Sequence, residues 1–327
     1  MTRVSVALVL GAGGTVGLSY HAGVLRALEQ VGGFVPDTAD LIVGTSAGSV
    51  VGAYLRSGWT TEDLWEMAMG THPILAGLSP AEVDARRAEL FTPSFTSLPD
   101  LARRGLGSAF VLARALWRLP APMAPGVLRH VFPGGLFDMT EGSRRFTEDL
   151  PLHWPSQALW LCAVDIVSGR RVVLGREGTP FASLHTAVMA SCAIPGFYQP
   201  VRVGSMTLVD GGTHSTTNLD LAARTNPDVI IGVVPMAWDT ASAPCPVEQL
   251  PRRFAARQLA SELADARVRG SQVLLFRPTR GEVRHHGLNL MRRKGWEDVA
   301  RLAYDNAARM LDTPRFRNAL GGEAASA

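Results

Sequence analysis

Short runs of apolar, often β-branched residues recur along the chain, each closed by Gly, Asp or Pro: Val4 to Leu10, Leu41 to Val43, Leu159 to Val164, Arg171 to Leu174, Met206 to Val209, Val229 to Val234 and Val273 to Phe276. Within a run the apolar character is continuous rather than alternating, the pattern of strands covered on both faces. Between several runs the period lengthens. From Gly17 to Gln30, Leu18, Ala22, Leu25 and Leu28 share a helical face, and Ala47 to Arg56 is small and apolar before a stop at Gly58. Trp296 to Leu311 sets Trp296, Val299, Ala300, Ala303, Ala307 and Met310 on one stripe. Strands alternating with helices predict an α/β layer sandwich with a largely parallel sheet. Between about Trp59 and Gly135 the alternation stops, and helix-like pieces, prolines and the segment AFVLARALWRLPAPMAPGVL take its place. This predicts a helical insertion, either packed on the core or exposed as an apolar cap that touches lipid.

Composition narrows the class. Of 327 residues 46% are hydrophobic and 19% charged, which excludes intrinsic disorder as the general state. Cys162, Cys192 and Cys245 are widely spaced and odd in number, so they build neither a disulfide framework nor a CxxC pair; a reducing, cytoplasmic setting is expected. The apolar start of the chain ends in glycines without an A-x-A cleavage site, and reads as a buried first strand. The nearest approach to a membrane span, Leu106 to Leu128, carries Arg114, Arg118 and three prolines. The net charge of +3 is unevenly spread. Residues 251–327 hold 15 Lys and Arg against 8 Asp and Glu, leaving 17 against 21 for the first 250. A basic region of this kind suits either solvated helix faces or loose attraction to an anionic surface.

Three glycine-rich motifs carry the candidate chemistry. Gly44-Thr45-Ser46-Ala47-Gly48 stands between a strand and a helix. A serine at such a tight turn needs neighbours without side chains two residues before and after, and its hydroxyl then projects beside a helix N-terminus. Gly11-Ala12-Gly13-Gly14-Thr15-Val16-Gly17 also joins a strand to a helix, and its N–H groups suit a phosphate or an oxyanion. Dinucleotide binding wants G-x-G-x-x-G, but the sixth place here is Val16; no Gly-Lys-Ser/Thr of a phosphate-binding loop follows either. A serine nucleophile needs a base. None of the eight histidines stands in a recognisable catalytic context, whereas Val209-Asp210-Gly211-Gly212 puts a carboxylate at a strand end.

In chain order, with the Gly11–Gly17 loop first, Gly44-Thr45-Ser46-Ala47-Gly48 second and Asp210-Gly211-Gly212 third, the motifs resemble the patatin-like phospholipases. Ala190-Ser191-Cys192-Ala193-Ile194-Pro195-Gly196-Phe197 is similar to that family's A-S-x-A-x-P-x-x-F segment, and Asp165 with Gly169 to its D-x-x-x-G hairpin. The resemblance covers roughly residues 4–58 and 134–235. It implies a three-layer α/β/α sandwich and a Ser-Asp dyad, with Ser46 as nucleophile and Asp210 as general base. It also implies an oxyanion hole from the backbone N–H groups of Gly13, Gly14 and Thr15, helped by Ala47, with Gly11, Gly17, Gly44, Gly48, Gly211 and Gly212 shaping the turns. Val16 departs from the Arg or Lys that many members carry there. The implied substrate is a lipid acyl ester, with peripheral membrane contact and no nucleic acid partner, cofactor or metal. One catalytic domain over 1–320 is expected, containing the 59–135 insertion and a basic region over 251–320, with a disordered tail at 321–327. Two rivals stay open: transfer of the acyl group to an alcohol, and a nucleotide-binding module.

Overall fold

The computed structural model describes residues 3–79, 81–83, 98–99, 101–102, 105–106, 135–137, 139–237, 246–287, 289–292 and 294–319. Most of the expected insertion, Cys245 and the tail 321–327 lie outside these residues. In chain order the strands and α-helices are β1 (Val6–Leu10), α1 (Gly14–Gln30), β2 (Leu41–Thr45), α2 (Ala47–Arg56), α3 (Thr61–Met69), α4 (Thr140–Asp149), β3 (Ala158–Asp165), β4 (Arg171–Leu174), α5 (Leu184–Cys192), β5 (Val201–Val203), β6 (Met206–Asp210), α6 (Leu219–Ala223), β7 (Val229–Val233), α7 (Pro246–Val268), β8 (Gln272–Phe276), α8 (Arg280–His286), α9 (Trp296–Leu311) and α10 (Pro314–Ala319). They fall into two compact units, one of residues 1–77, 155–159 and 215–327, the other of 78–154 and 160–214.

In the first unit β2, β1, β7 and β8 lie side by side, all parallel, with Ala7 opposite Leu41 and Ile230, and Val229 opposite Gln272. Every position of β2 and β7 is buried, and all but the first of β1. Alternate side chains point to opposite faces, so helices cover both sides of this sheet, as the unbroken apolar runs predict. Helices α1, α3 and α9 pack on one another; α6 packs on α7 and on β1, β2 and β7; α2 lies on β1 and β2. The apolar face expected of α1 is wider than four residues. Thr15, Ser19 and His21 are buried along with Ala22, Leu25 and Leu28, while Leu18 is only half-buried, because α2, α3 and α9 all press on this one helix.

The second unit pairs its strands antiparallel: β3 with β4 and β6, and β5 with β6. Between β3 and β4 only residues 166–170 intervene, too few for a parallel crossover. This is the D-x-x-x-G hairpin, and Asp165 closes it. Its carboxylate accepts from the N–H groups of Val167, Ser168 and Thr207 and from Ser168 Oγ. Burial raises its pKa, these donors lower it by more, and the net shift is downward. Helix α5 packs on β5 and β6 and brings the Ala190–Phe197 segment to them.

Candidate active site

Ser46 follows β2 without a spacer and opens α2. Its backbone sits at φ 53 and ψ −119, one of three non-glycine positive φ values among the described residues. Such a conformation costs about 1–3 kcal/mol and persists only where its surroundings enforce it. Here the Ser46 carbonyl accepts from Ser49 N–H at 2.8 Å, Ser49 Oγ at 2.6 Å and Val50 N–H at 3.3 Å. The flanking glycines are required by contact. A Cβ on Gly48 would lie 2.0 Å from the Leu10 carbonyl oxygen, and one on Gly44 would lie 2.7 Å from the Gly48 carbonyl oxygen. Ser46 is 5% exposed.

The Gly-rich loop lies beside it. A Cβ on Gly17 would meet that of Ala47 at 3.3 Å, so the first turns of α1 and α2 touch. Gly11 N–H donates to Val233 O at 2.9 Å and Ala12 N–H to Thr216 O at 2.7 Å, which fixes the entry to the loop. Gly13 caps α1, Gly14 follows at φ 61, and the first helical bond runs from Gly17 N–H to Gly13 O at 2.8 Å. The N–H groups of Gly13, Gly14, Thr15 and Val16 therefore have no acceptor within the helix. That of Val16 is taken by the Leu290 carbonyl at 3.0 Å. The other three, with Ala47 at the start of α2, stand at the positive ends of two helices, a setting that favours an anion. His21 is committed to the scaffold. Its Nε2 lies 2.8 Å from Gly11 O and must donate there, since a carbonyl oxygen only accepts.

A second tier of residues, without a local signal in the sequence, braces Ser46. Asn218 Nδ2 donates to Thr45 Oγ1 at 3.0 Å and to Ser215 O at 2.7 Å. The Ser215–Leu219 stretch is itself held by the buried carboxylate of Glu262 in α7. Glu262 accepts from Ser215 Oγ at 2.5 Å, from Leu219 N–H at 2.9 Å and from Thr217 Oγ1. Burial pushes the Glu262 carboxyl above its ordinary pKa, and these donors offset only part of that.

In the second unit, Asp210 ends β6 and is 5% exposed. Its N–H donates to Ala193 O at 2.9 Å, so the Ala190–Phe197 segment fixes its backbone. The Gly212 N–H donates to Asp210 Oδ1 at 2.7 Å, and Thr213 Oγ1 to Asp210 O at 2.8 Å. Gly211 crosses β3 where a Cβ would fall 2.3 Å from Cys162 O, the same carbonyl that accepts from Ser191 Oγ at 2.6 Å.

Among the described residues one group has metal-ligand spacing: Asp63, Glu66 and His72. His72 Nδ1 accepts from Ile74 N–H at 3.2 Å, which leaves the ring proton on Nε2, 3.4 Å from Asp63 Oδ1. A donor hydrogen, not a lone pair, faces the carboxylate. No helix among these residues is long and apolar enough to cross a membrane.

A family model described as patatin-like phospholipase matches residues 8–223. The uncharacterized protein YqhO of Bacillus subtilis is 27% identical over 69% of this chain and 69% of its own length. An uncharacterized NTE family protein of Mycobacterium tuberculosis is 26% identical over 70% of this chain, and the match spans 48% of that protein. The crystal structure of VipD from Legionella pneumophila aligns at 14% identity with a TM-score of 0.42, over 95% of this chain and 67% of that one.

Proposed function

The chain belongs to the patatin-like phospholipase family, and from that premise we propose that it is a serine lipid acyl hydrolase, cleaving a fatty-acyl ester of a phospholipid, lysophospholipid or neutral lipid. The observation that carries this reading is the strained Ser46 turn set against the two helix N-termini. Ser46 Oγ attacks the acyl carbon while the Asp210 carboxylate takes its proton. The N–H groups of Gly13, Gly14, Thr15 and Ala47 receive the negative charge that forms on the acyl oxygen. Collapse expels the alcohol, which leaves with that proton, and the acyl group stays on Ser46. Water then attacks the acyl-enzyme with Asp210 again accepting a proton, and the free fatty acid and Ser46 hydroxyl are restored.

Support for the pairing comes from how each residue is built. Ser46 directly follows β2 and Asp210 ends β6, and a Cβ on Gly44 or Gly48 beside the serine, or on Gly211 beside the carboxylate, would fall within 3 Å of a backbone carbonyl oxygen. The substrate resides in an interface, so the basic region over 251–320 draws the protein to anionic lipid for transient contact. The loss of an Arg or Lys side chain at position 16 leaves backbone donors untouched, which is why the oxyanion hole tolerates Val16.

Labelling with a fluorophosphonate probe tests the assignment. The parent protein is expected to label, Ser46→Ala to lose labelling entirely, and Asp210→Asn to lose it nearly so. Labelling retained in Asp210→Asn would move the base elsewhere. A parent that neither labels nor hydrolyses any lipid acyl ester would sink the reading.

A further inference from the structure

Residues 289–292 lie outside the stretch that the family model matches, yet they form one side of the Gly-rich loop. The Leu290 carbonyl accepts from Val16 N–H at 3.0 Å and lies 3.1 Å from Thr15 Oγ1; the Arg292 carbonyl lies 2.9 Å from the same hydroxyl. One hydroxyl proton thus has two converging acceptors. A helix-capping threonine would aim its oxygen at N–H groups of its own helix. Thr15 instead donates outward, to a segment 275 residues further along the chain.

That segment is braced independently of Thr15. Met291 N–H donates to Asn289 Oδ1 at 3.0 Å, Arg292 N–H to Asn289 O at 3.2 Å, and Trp296 Nε1 to Arg292 O at 2.9 Å. The Arg292 guanidinium closes the turn by donating to the carbonyls of His285 and Gly295. Contact with the loop leaves no slack, because a Cβ on Gly14 would lie 2.7 Å from Leu290 O and 2.9 Å from Met291 Sδ. Oxyanion donors stabilise a developing charge only if they are already aimed when it forms. Gly13 and Gly14 are poor at holding their own direction, since glycine restricts its backbone least.

We propose that residues 289–292 are an arm of the oxyanion hole and that Thr15 is its positioning residue, its hydroxyl pinned between the Leu290 and Arg292 carbonyls so that the Gly13, Gly14 and Thr15 amides keep their aim. The inference rests on reading those amides as the oxyanion donors. Thr15→Val keeps the side-chain shape and removes the hydroxyl; Thr15→Ser keeps the hydroxyl. With a short p-nitrophenyl ester, Thr15→Val is expected to lower kcat by about tenfold to a hundredfold, with KM unchanged, and Thr15→Ser to restore kcat. Hydrogen exchange is expected to quicken in Thr15→Val within residues 11–18, to stay as in the parent in Thr15→Ser, and to be unaltered elsewhere. Unchanged exchange in Thr15→Val overturns the proposal even if the protein hydrolyses nothing, and so does a serine variant as impaired as the valine one. Ser46→Ala, measured alongside, separates the two readings. Hydrolysis persisting in it refutes the nucleophile, while the exchange data still decide the arm.

Discussion

His21 is fully buried on α1, and burial pulls its pKa from the ordinary histidine value down to about 4, the hydrogen bond to Gly11 offsetting part of the fall. The folded protein therefore keeps this imidazole neutral where the unfolded chain would protonate it. Its contribution to stability is complete above about pH 6.5 and is lost as pH falls towards 4, in total about 3 kcal/mol. His286 is pulled lower still, to about 3, by burial and then by Arg252, Arg292 and His285, and it acts in the same direction. Urea midpoints measured from pH 7.5 to 4.5 should fall, and fall less steeply in His21→Gln, which can still donate to Gly11. Parallel curves for the two proteins would exclude His21 as a source. The role of His21 could not be seen in the sequence, where it reads as a helix-face residue near the missing basic side chain of position 16, with nothing to name Gly11 O as its partner. Gly44 and Gly48 could be, because a nucleophile turn demands small residues at that spacing, and the close approaches to Leu10 and Gly48 oxygens are the physical form of that demand.

At the level of elements, local pattern located what local energetics build. Helix α2 spans Ala47–Arg56 and α9 spans Trp296–Leu311, as their periodicity predicts. The three-residue strand β5 carries too little pattern to be recognised, and α1 begins at Gly14, before its expected apolar face, with one of its first-turn N–H groups, that of Val16, taken by the distant Leu290 carbonyl. The brace formed by α7 is invisible in the same way: Glu262 matters through partners more than 40 residues away. Replacing it by leucine leaves Ser215, Thr217 and the Leu219 N–H without their buried acceptor. Each such group costs about 1–3 kcal/mol. Because the Ser215 and Thr217 hydroxyls can still bond to each other, Glu262→Leu should lose about 2 kcal/mol or more of unfolding free energy and label more slowly at Ser46, as Asn218 loosens from Thr45; Glu262→Gln, which retains one acceptor, should lose less. Stability unchanged in Glu262→Leu would show that the network is ornamental.

For the whole molecule the question is how a protein whose described helices include none fit to cross a membrane meets a lipid substrate. The charge contrast between residues 251–327 and the rest of the chain argues for electrostatic attraction to anionic headgroups. Sedimentation with anionic liposomes should exceed that with neutral ones at low salt and decline as salt is raised. Equal sedimentation would show that the basic region has another use. The sequence by itself determined the α/β class, the strands that lead into Ser46 and Asp210 and the glycines around them, because unbroken apolar runs and tight turns are enforced by neighbours along the chain. Only the tertiary structure decided that polar Thr15, Ser19 and His21 of α1 are buried, that His21 and Glu262 serve the scaffold, and that a turn near the end of the chain grips the Gly-rich loop. Those are contacts between residues ten to hundreds of positions apart, made by side-chain and carbonyl groups whose partners no local pattern names.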